Sequence, residues 1–139
     1  MKILIIDDEK TFAENLRVFV EKVFSEMHTV LEITVTDDSK FVLYNSKQYD
    51  VILLDIEMPD CSGIKLASKL NEKNSNDDKP HIIFVTNRDE LVFDALKQQP
   101  FSFVRKSHLD DLELCLHRLI KLSKKKSTIL LNQVVIMSV

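Results

Sequence analysis

The chain has 139 residues, 45% of them hydrophobic and 29% charged, which is typical of a single globular domain with a sizeable core. No apolar run approaches the roughly 18 residues of a membrane span, and the N-terminus does not resemble a signal peptide. The net charge of −3 is uneven, because residues 1–120 carry 15 basic and 22 acidic side chains. Such an acidic body argues against direct nucleic-acid binding. Two cysteines without metal-type spacing, Cys61 and Cys115, indicate reduced thiols, so we expect a cytoplasmic protein. Because the sequence shows no membrane span, we expect no membrane partner.

Five strand-then-helix units follow one another along the chain. The apolar segments predict strands at Lys2–Ile6, Val30–Thr36, Val51–Leu54, His81–Val85 and Phe101–Val104. Helical spacing predicts helices at Thr11–Met27, Ser39–Asn45, Ile64–Leu70 and Glu90–Lys97, and a last one that opens at Ser107-His-Leu-Asp110. Helix starts are also predicted by a capping box, Thr11-Phe-Ala-Glu14, and by the cap candidates Asp37-Asp38. The alternation predicts an α/β fold with a five-stranded parallel sheet and helices on both faces. We expect the flavodoxin-like, doubly wound arrangement of such a sheet, in which the strand order is 2-1-3-4-5.

The end of the chain departs from this pattern. Residues 121–139 contain four lysines and no acid, and residues 128–139 are uncharged, apolar and rich in β-branched side chains. We therefore predict one domain over residues 1–122, a basic linker over 123–127, and the start of a second, β-rich domain over 128–139. A swapped or docked strand is the alternative for residues 128–139.

The most informative motif runs from Asp50 to Gly63. A strand buried on both faces, Val51–Leu54, ends directly before Asp55, and Pro59 shapes the loop that follows. The carboxyl ends of parallel strands form the crevice in which ligands bind. Gly63 is the only glycine in the chain, so its position indicates a backbone need such as positive φ or close approach.

Further carboxylates are expected beside Asp55. The first strand runs into Asp7-Asp8-Glu9, and the first and third strands are neighbours in the predicted sheet. Carboxylates that lie so close raise one another's pKa unless a positive charge compensates them. A hard divalent cation with oxygen ligands does so, and Mg²⁺ is the expected one beside phosphate.

Two donors complete this constellation. Thr86 follows the fourth strand and Lys106 the fifth, so a hydroxyl and an ammonium would join the carboxylates. Together they would hold a phosphoryl group, with Asp55 as the nucleophile toward phosphorus. Each residue alone is more often a turn or helix cap, whereas the whole set in this strand order favours phosphoryl chemistry.

The set Asp7-Asp8, Asp55-Ile-Glu-Met-Pro59 with Gly63, Thr86 and Lys106 resembles the receiver domain of two-component response regulators, over roughly residues 1–122. The resemblance implies that Asp55 accepts a phosphoryl group from a sensor histidine kinase. It also implies direct Mg²⁺ ligation by Asp8, Asp55 and the backbone carbonyl of Glu57. Asp7 would act mainly through water.

The resemblance also implies how the signal leaves the pocket. Thr86 and Lys106 would hold the phosphoryl oxygens, and Phe103 matches the family's aromatic switch position. The output surface would be formed by the fourth helix, fifth strand and fifth helix, through which a homodimer would form. The domain would be a phosphoacceptor regulator rather than an enzyme, although it would promote its own phosphotransfer and could dephosphorylate itself slowly.

The sequence departs from the family pattern at two positions. Ser107 follows Lys106, where the family commonly has proline with a cis bond, and Asn87 follows Thr86, where a small residue is usual. The segment from Phe101 to Leu109 resembles receivers attached to LytTR-type DNA-binding domains, as in Agr-like quorum-sensing regulators. DNA would then be bound for transcription control only through an output domain that this sequence lacks.

Two other functions stay open from the residues alone. One is a receiver-like interaction module that no longer depends on phosphorylation, which the departures at Asn87 and Ser107 suggest and the intact carboxylates oppose. The other is an aspartate-based phosphohydrolase with Asp55 as nucleophile and Glu57 as general acid. The Met58-Pro59 segment and the Asp7-Asp8 pair fit a receiver better.

Overall fold

The computed structural model describes residues 1–74, 77 and 79–138, with side chains described up to Lys126. The strands are β1 (Lys2–Ile6), β2 (Glu32–Thr36), β3 (Val51–Leu54), β4 (His81–Thr86) and β5 (Ser102–Arg105). The helices are α1 (Lys10–Glu26), α2 (Ser39–Asn45), α3 (Gly63–Lys73), α4 (Val92–Leu96) and α5 (Leu109–Ser138). Short 3₁₀ turns at Ser46–Gln48 and Asp89–Leu91 follow α2 and precede α4. In the part of the chain that the structure describes, no helix is long and apolar enough to cross a membrane.

The five strands form one parallel sheet of order β2-β1-β3-β4-β5, which confirms the predicted fold class. β1 lies beside β3 with Ile6 opposite Leu54, so the residues that follow these two strands leave the sheet at the same edge. β4 lies beside β5 with Thr86 opposite Arg105, which brings the ends of these strands to that edge as well. This edge is where the site residues were expected.

The core consists of two apolar layers, one on each face of the sheet. β1 shows why: Ile3 and Ile5 belong to one layer and Leu4 and Ile6 to the other, since successive side chains of a strand point to opposite faces. The first layer includes apolar residues of α1 and α5, and the second those of α2, α3 and α4. Central strands covered on both faces explain the continuous apolar runs of the sequence.

Several predicted boundaries need correction. β2 begins at Glu32 instead of Val30, whose carbonyl accepts a hydrogen bond from the chain's terminal ammonium at 3.0 Å. The capping box is wrong: α1 begins at Lys10, and no side-chain cap hydrogen bond is present at its start. Glu14 instead pairs with Arg17, one turn further along the helix. The predicted cap of α2 is confirmed, because Asp38 accepts a hydrogen bond from the Lys40 amide.

The predictions for the C-terminal segment differ most from the structure. α5 continues through the predicted linker, 123–127, and on to Ser138, so strands are not found at 128–138. No glycine or proline interrupts residues 109–138, and β-branched residues lower helix propensity by only fractions of a kcal/mol each. A strand, by contrast, needs partners to be stable. Val139 lies outside the described residues, and the division into a receiver, a linker and an output domain stays a prediction.

Candidate functional site

The carboxylates that follow β1 and β3 lie together at the predicted edge of the sheet. Oxygens of Asp7, Asp8 and Asp55 all lie within 4.8 Å of one another. Asp7 and Asp55 are each 4% exposed, whereas Asp8 is exposed. The backbone fixes this arrangement, because the Asp7 amide donates to the Thr36 carbonyl and the Asp55 amide to the Ile6 carbonyl. We call these carboxylates, with Thr86 and Lys106, the acidic pocket.

Lys106 supplies the positive charge of the acidic pocket. Its Nζ lies 2.8 Å from Asp7 Oδ2 and 3.0 Å from Asp55 Oδ2, and its side chain is 6% exposed. Burial by itself would lower the pKa of Lys106, but the hydrogen bonds with Asp7 and Asp55 outweigh burial, and the pKa is raised above the usual lysine value. The ammonium is therefore charged at neutral pH and bridges the two buried carboxylates.

Opposing influences act on the pKa of the Asp7 carboxyl. Burial raises its pKa above the usual range, while hydrogen bonds from Lys106 and from the Glu9 amide act in the opposite direction. The hydrogen bond from the Glu9 amide nitrogen to Asp7 Oδ1 is 2.8 Å long. One lysine faces two buried carboxylates and the exposed Asp8, so the pocket keeps an excess of negative charge.

Thr86 lies in the wall of the same pocket. A cavity of about 300 Å³ is lined by Asp8, Glu9, Asp55, Glu57, Thr86, Asn87 and Lys106. Thr86 is fully buried, and its Oγ1 accepts a hydrogen bond from the Arg88 amide at 3.2 Å. Its carbonyl accepts one from the Lys106 amide at 3.0 Å, which couples the ends of β4 and β5. A cavity of this size has room for a phosphoryl group beside the carboxylates.

The single glycine of the chain shapes the loop after Asp55. A Cβ at Gly63 would lie 2.0 Å from the Asp55 carbonyl oxygen, so only glycine fits there. The Gly63 amide donates to the Ile56 carbonyl at 2.8 Å, which closes the loop onto the start of α3. Positive φ is not involved at this residue. Of the two backbone needs considered from the sequence, the structure shows close approach.

Side chains hold the rest of this loop. Ser62 caps α3 by accepting a hydrogen bond from the Ile64 amide at 3.2 Å. Asp60 accepts one from the Ser39 hydroxyl at 2.6 Å, which ties the loop to the start of α2. That hydrogen bond is also the main reason why the pKa of Asp60 is lowered. The phosphoacceptor candidate is therefore followed by a loop that is fixed at both ends.

Glu57 and Arg88 lie at the rim of the pocket. The Glu57 amide lies 3.4 Å from Asp55 Oδ1, and the exposed Glu57 carboxylate lies 3.5 Å from Arg88 Nη1. Arg88 also pairs with Glu90. The predicted metal ligand of Glu57 is its backbone carbonyl, and this role stays a prediction.

The switch candidate and the departure from the family pattern lie on β5 and just after it. The half-buried Phe103 packs near Phe84, with ring centroids 6.4 Å apart. It also lines a surface pocket with Val92, Arg105 and two acids. The Lys106–Ser107 bond is trans, as are the other described peptide bonds. The switching role of Phe103 stays a prediction.

Two residues around Lys106 were not identified as partners from the sequence. Glu9 Oε2 lies 3.2 Å from Lys106 Nζ, which gives the ammonium a third carboxylate. The Phe12 ring lies beneath the same ammonium, 4.5 Å from Nζ to the centroid. Glu9 was recognisable as the third acid at the end of the first strand, whereas nothing in the sequence indicates the cation–π contact of Phe12.

The donor set fits a hard divalent cation. Oxygens of three carboxylates converge within 4.8 Å, and carboxylates are the ligands that Mg²⁺ prefers in proteins. The excess negative charge of the pocket favours a second positive charge beside Lys106. Asp7, Asp8 and Asp55 are therefore the residues that would hold such an ion.

Comparison with protein families agrees with this fold and pocket. The family described as response regulator receiver domain matches residues 3–117. The match covers all five strands except Lys2, the first residue of β1, and it includes the first part of α5. The chain belongs to this family, whose members are regulatory domains rather than classical enzymes.

Curated relatives extend beyond this chain. The transcriptional regulatory protein BtsR of Escherichia coli (strain K12) is 32% identical over 135 residues, which cover 96% of this chain and 54% of the relative. The positive alginate biosynthesis regulatory protein of Pseudomonas aeruginosa is 31% identical over 107 residues, which cover 76% of this chain and 41% of that protein. The chain thus spans about half the length of the curated relatives it matches.

Solved structures show the same fold. The response regulator TrrA from Thermotoga maritima, determined in complex with Mg(2+)-BeF, has 28% sequence identity and a TM-score of 0.70, covering 85% of this chain and 97% of that one. The receiver domain of the Francisella response regulator 1452 has 29% identity and a TM-score of 0.69, with coverages of 88% and 98%. Both likenesses extend over nearly the whole length of the solved chains.

Proposed function

We propose that this chain is the phosphorylation-controlled receiver of a two-component regulator and that Asp55 accepts the phosphoryl group. One observation carries the proposal: Asp55 shares the ammonium of Lys106 with Asp7, at 3.0 and 2.8 Å, and Asp55, Lys106 and Thr86 line the same cavity. A nucleophilic carboxylate, a fixed cation and a buried hydroxyl are the parts that phosphoryl transfer needs.

The phosphoryl donor is a phosphohistidine of a sensor histidine kinase. An Asp55 carboxylate oxygen forms the new O–P bond while the N–P bond breaks, and the imidazole nitrogen keeps the bonding electron pair. Lys106 and Thr86 hold the phosphoryl oxygens. Asp8, Asp55 and the Glu57 carbonyl would hold Mg²⁺, with Asp7 acting through water, and the ion would supply charge neutralisation on the phosphoryl oxygens. The domain promotes its own phosphotransfer, and slow autodephosphorylation belongs to the same proposal.

The proposed output is self-association through the surface formed by α4, β5 and α5. Phe93 is 77% exposed, Leu96 51% and Leu114 64%, so α4 and α5 present large apolar side chains to solvent. Exposed apolar groups of this kind mark interaction surfaces when they cluster. Phosphorylation adds roughly −1.5 to −2 charges to the pocket, and a shift of Thr86 transmitted through Phe103 alters this surface.

The partner of the self-associated state is DNA, bound only through an output domain outside this chain. The curated relative BtsR is a transcriptional regulatory protein of which this chain covers 54%, so a further domain is consistent with that likeness. A LytTR-type domain of an Agr-like quorum-sensing regulator stays our proposal for it, from the Phe101–Leu109 segment. Cytoplasmic location likewise stays a proposal, from the cysteine usage.

Incubation with Mg²⁺ and a small phosphodonor tests the proposal. Intact-mass spectrometry should show the addition of one phosphate to the wild-type chain and to Asp37→Asn, which alters an exposed acid after β2 at the same sheet edge. Asp55→Asn should take up none. Equal uptake by Asp55→Asn would refute the assignment, and no uptake by any form would favour the interaction module that does not depend on phosphate.

A further inference from the structure

A broad groove lies outside the acidic pocket, between α2, α3, α4 and the loop after β3. Its volume is about 980 Å³, and half-buried apolar side chains of Leu43, Met58, Ile64 and Leu91 contribute to its surface. It borders the surface proposed for self-association through Asp94 of α4, but the exposed Phe93 and Leu96 of that surface are not part of its lining. We call it the lysine groove.

Its rim carries an excess of positive charge. Lys40, Lys65, Lys69 and Lys97 line it, together with two aspartates. Lys65 and Lys69 lie one turn apart on α3, and neither they nor Lys40 form an ion pair with any described residue. Three exposed lysines are therefore available to a partner.

The two aspartates of the lining do not cancel the charge of its four lysines. Asp60 accepts the hydrogen bond of Ser39 at 2.6 Å, and Asp94 lies 3.5 Å from Lys97 Nζ. Four lysines and two aspartates leave the lining with a net charge of +2, although residues 1–120 carry a net negative charge. A local potential opposite in sign to that of the body selects partners by charge.

We propose that the lysine groove docks an acidic segment of a partner protein that also carries apolar side chains. The lysines pair with the segment's carboxylates, and Met58, Ile64 and Leu91 contact its apolar side chains. Nucleic acid is the poorer occupant, because the described lining has no aromatic ring on which bases stack. The proposal does not depend on phosphorylation of Asp55.

Three synthetic peptides with a fluorescent label test the chemistry of the occupant. The first is a short peptide of glutamate and leucine, the second replaces glutamate by lysine, and the third replaces leucine by serine. Fluorescence anisotropy with the unphosphorylated chain should show binding of the first, which weakens as salt is raised. The third should bind roughly ten-fold more weakly and the second not at all. Equal binding of the first two peptides would overturn the proposal.

Charge reversal locates the binding. Lys65→Glu/Lys69→Glu should weaken binding of the glutamate–leucine peptide roughly ten-fold. The control Lys22→Glu/Lys121→Glu makes the same change of net charge at exposed lysines of α1 and α5 and should weaken it less than about two-fold. Equal losses in both variants would place the binding elsewhere and overturn the proposal.

Two further controls keep the result decisive. Thermal unfolding checks that each variant is folded, and Lys65→Gln/Lys69→Gln replaces the reversed pair if that pair unfolds. A single-stranded DNA oligonucleotide and a sedimentation run without peptide test the other occupants. The proposal is refuted if the glutamate–leucine peptide does not bind and Lys65→Glu/Lys69→Glu abolishes binding of the oligonucleotide. It is equally refuted if the peptide does not bind and this variant abolishes self-association. In either case the groove belongs to the occupant whose binding is lost.

Discussion

The acidic pocket and the lysine groove differ in how far their charged side chains are buried and paired. In the pocket, the buried Lys106 is in contact with two buried carboxylates, so each group depends on the others. In the groove, Lys65 and Lys69 are exposed and form no ion pair with described residues. Removing a buried, paired charge leaves its partners uncompensated, whereas removing an exposed one has little effect on folding. Stability should therefore respond to changes in the pocket, and binding to changes in the groove.

The largest effect should come from Gly63→Ala. A methyl group 2.0 Å from the Asp55 carbonyl oxygen forces the backbone of the loop to move. We expect a loss of about 3 kcal/mol in the free energy of unfolding, measured by urea denaturation. Ser68→Ala, on the same helix but half-buried in the lysine groove, should change it by less than about 1 kcal/mol. Equal stability of Gly63→Ala and wild type would show that the loop is not fixed as described.

Lys106→Met should have the next largest effect. It keeps an unbranched side chain that is one heavy atom shorter, but it leaves Asp7 and Asp55 without their ammonium, and we expect a loss of about 2 kcal/mol. Mg²⁺ should raise the thermal midpoint of this variant more than that of the wild type, because the ion replaces the missing positive charge. The comparison of pocket and groove fails if Lys106→Met is as stable as the wild type without Mg²⁺.

Ser39→Ala should have an intermediate effect. It removes the 2.6 Å hydrogen bond to Asp60 that ties the loop after Asp55 to α2, at a cost of about 1 kcal/mol. Asp60→Asn keeps an acceptor for the hydroxyl and should cost less. Denaturant midpoints of the two variants measure the difference, and the reverse order would show that the charge of Asp60, rather than the hydrogen bond, holds the loop.

The smallest effect should come from Lys69→Met, the same substitution as at Lys106 but on the exposed side of α3. We expect a change within about 0.5 kcal/mol, because no described partner loses a contact. The thermal midpoints of Lys69→Met and Lys106→Met, measured side by side, give the comparison directly. A loss at Lys69 as large as the loss at Lys106 would contradict it.

How far the sequence predicted the structure depended on the element. The bounds of β1, β3 and α2 were predicted correctly, because buried strands of parallel sheets are continuously apolar and an aspartate cap precedes α2. The final segment was wrong in its secondary structure, since β-branched residues suggested strands where α5 continues. Local propensity could not decide this, because no breaker residue ends the helix.

The site was predictable to the extent that strand order determines it. Because β1 and β3 are neighbours, acids at both strand ends had to meet, and the structure brings Asp7, Asp8 and Asp55 together. The contact of Glu9 with Lys106 was not predicted. The two residues are 97 positions apart in the sequence, and their contact depends on the side-chain rotamers that each adopts. The Ser39–Asp60 hydrogen bond was missed for the same reason. The chemical role of each residue in the pocket has to be tested by experiment, because the strand order determines only where the residue lies.

Chemical trapping of the phosphorylated residue tests the central claim most directly. The wild-type chain is incubated with Mg²⁺ and a small phosphodonor, reduced with borohydride, which converts an aspartyl phosphate to homoserine, and mapped by peptide mass spectrometry. The account predicts homoserine at residue 55 and at no other aspartate. Homoserine at Asp7, Asp8 or Asp60, or phosphate retained on a serine or histidine, would contradict it.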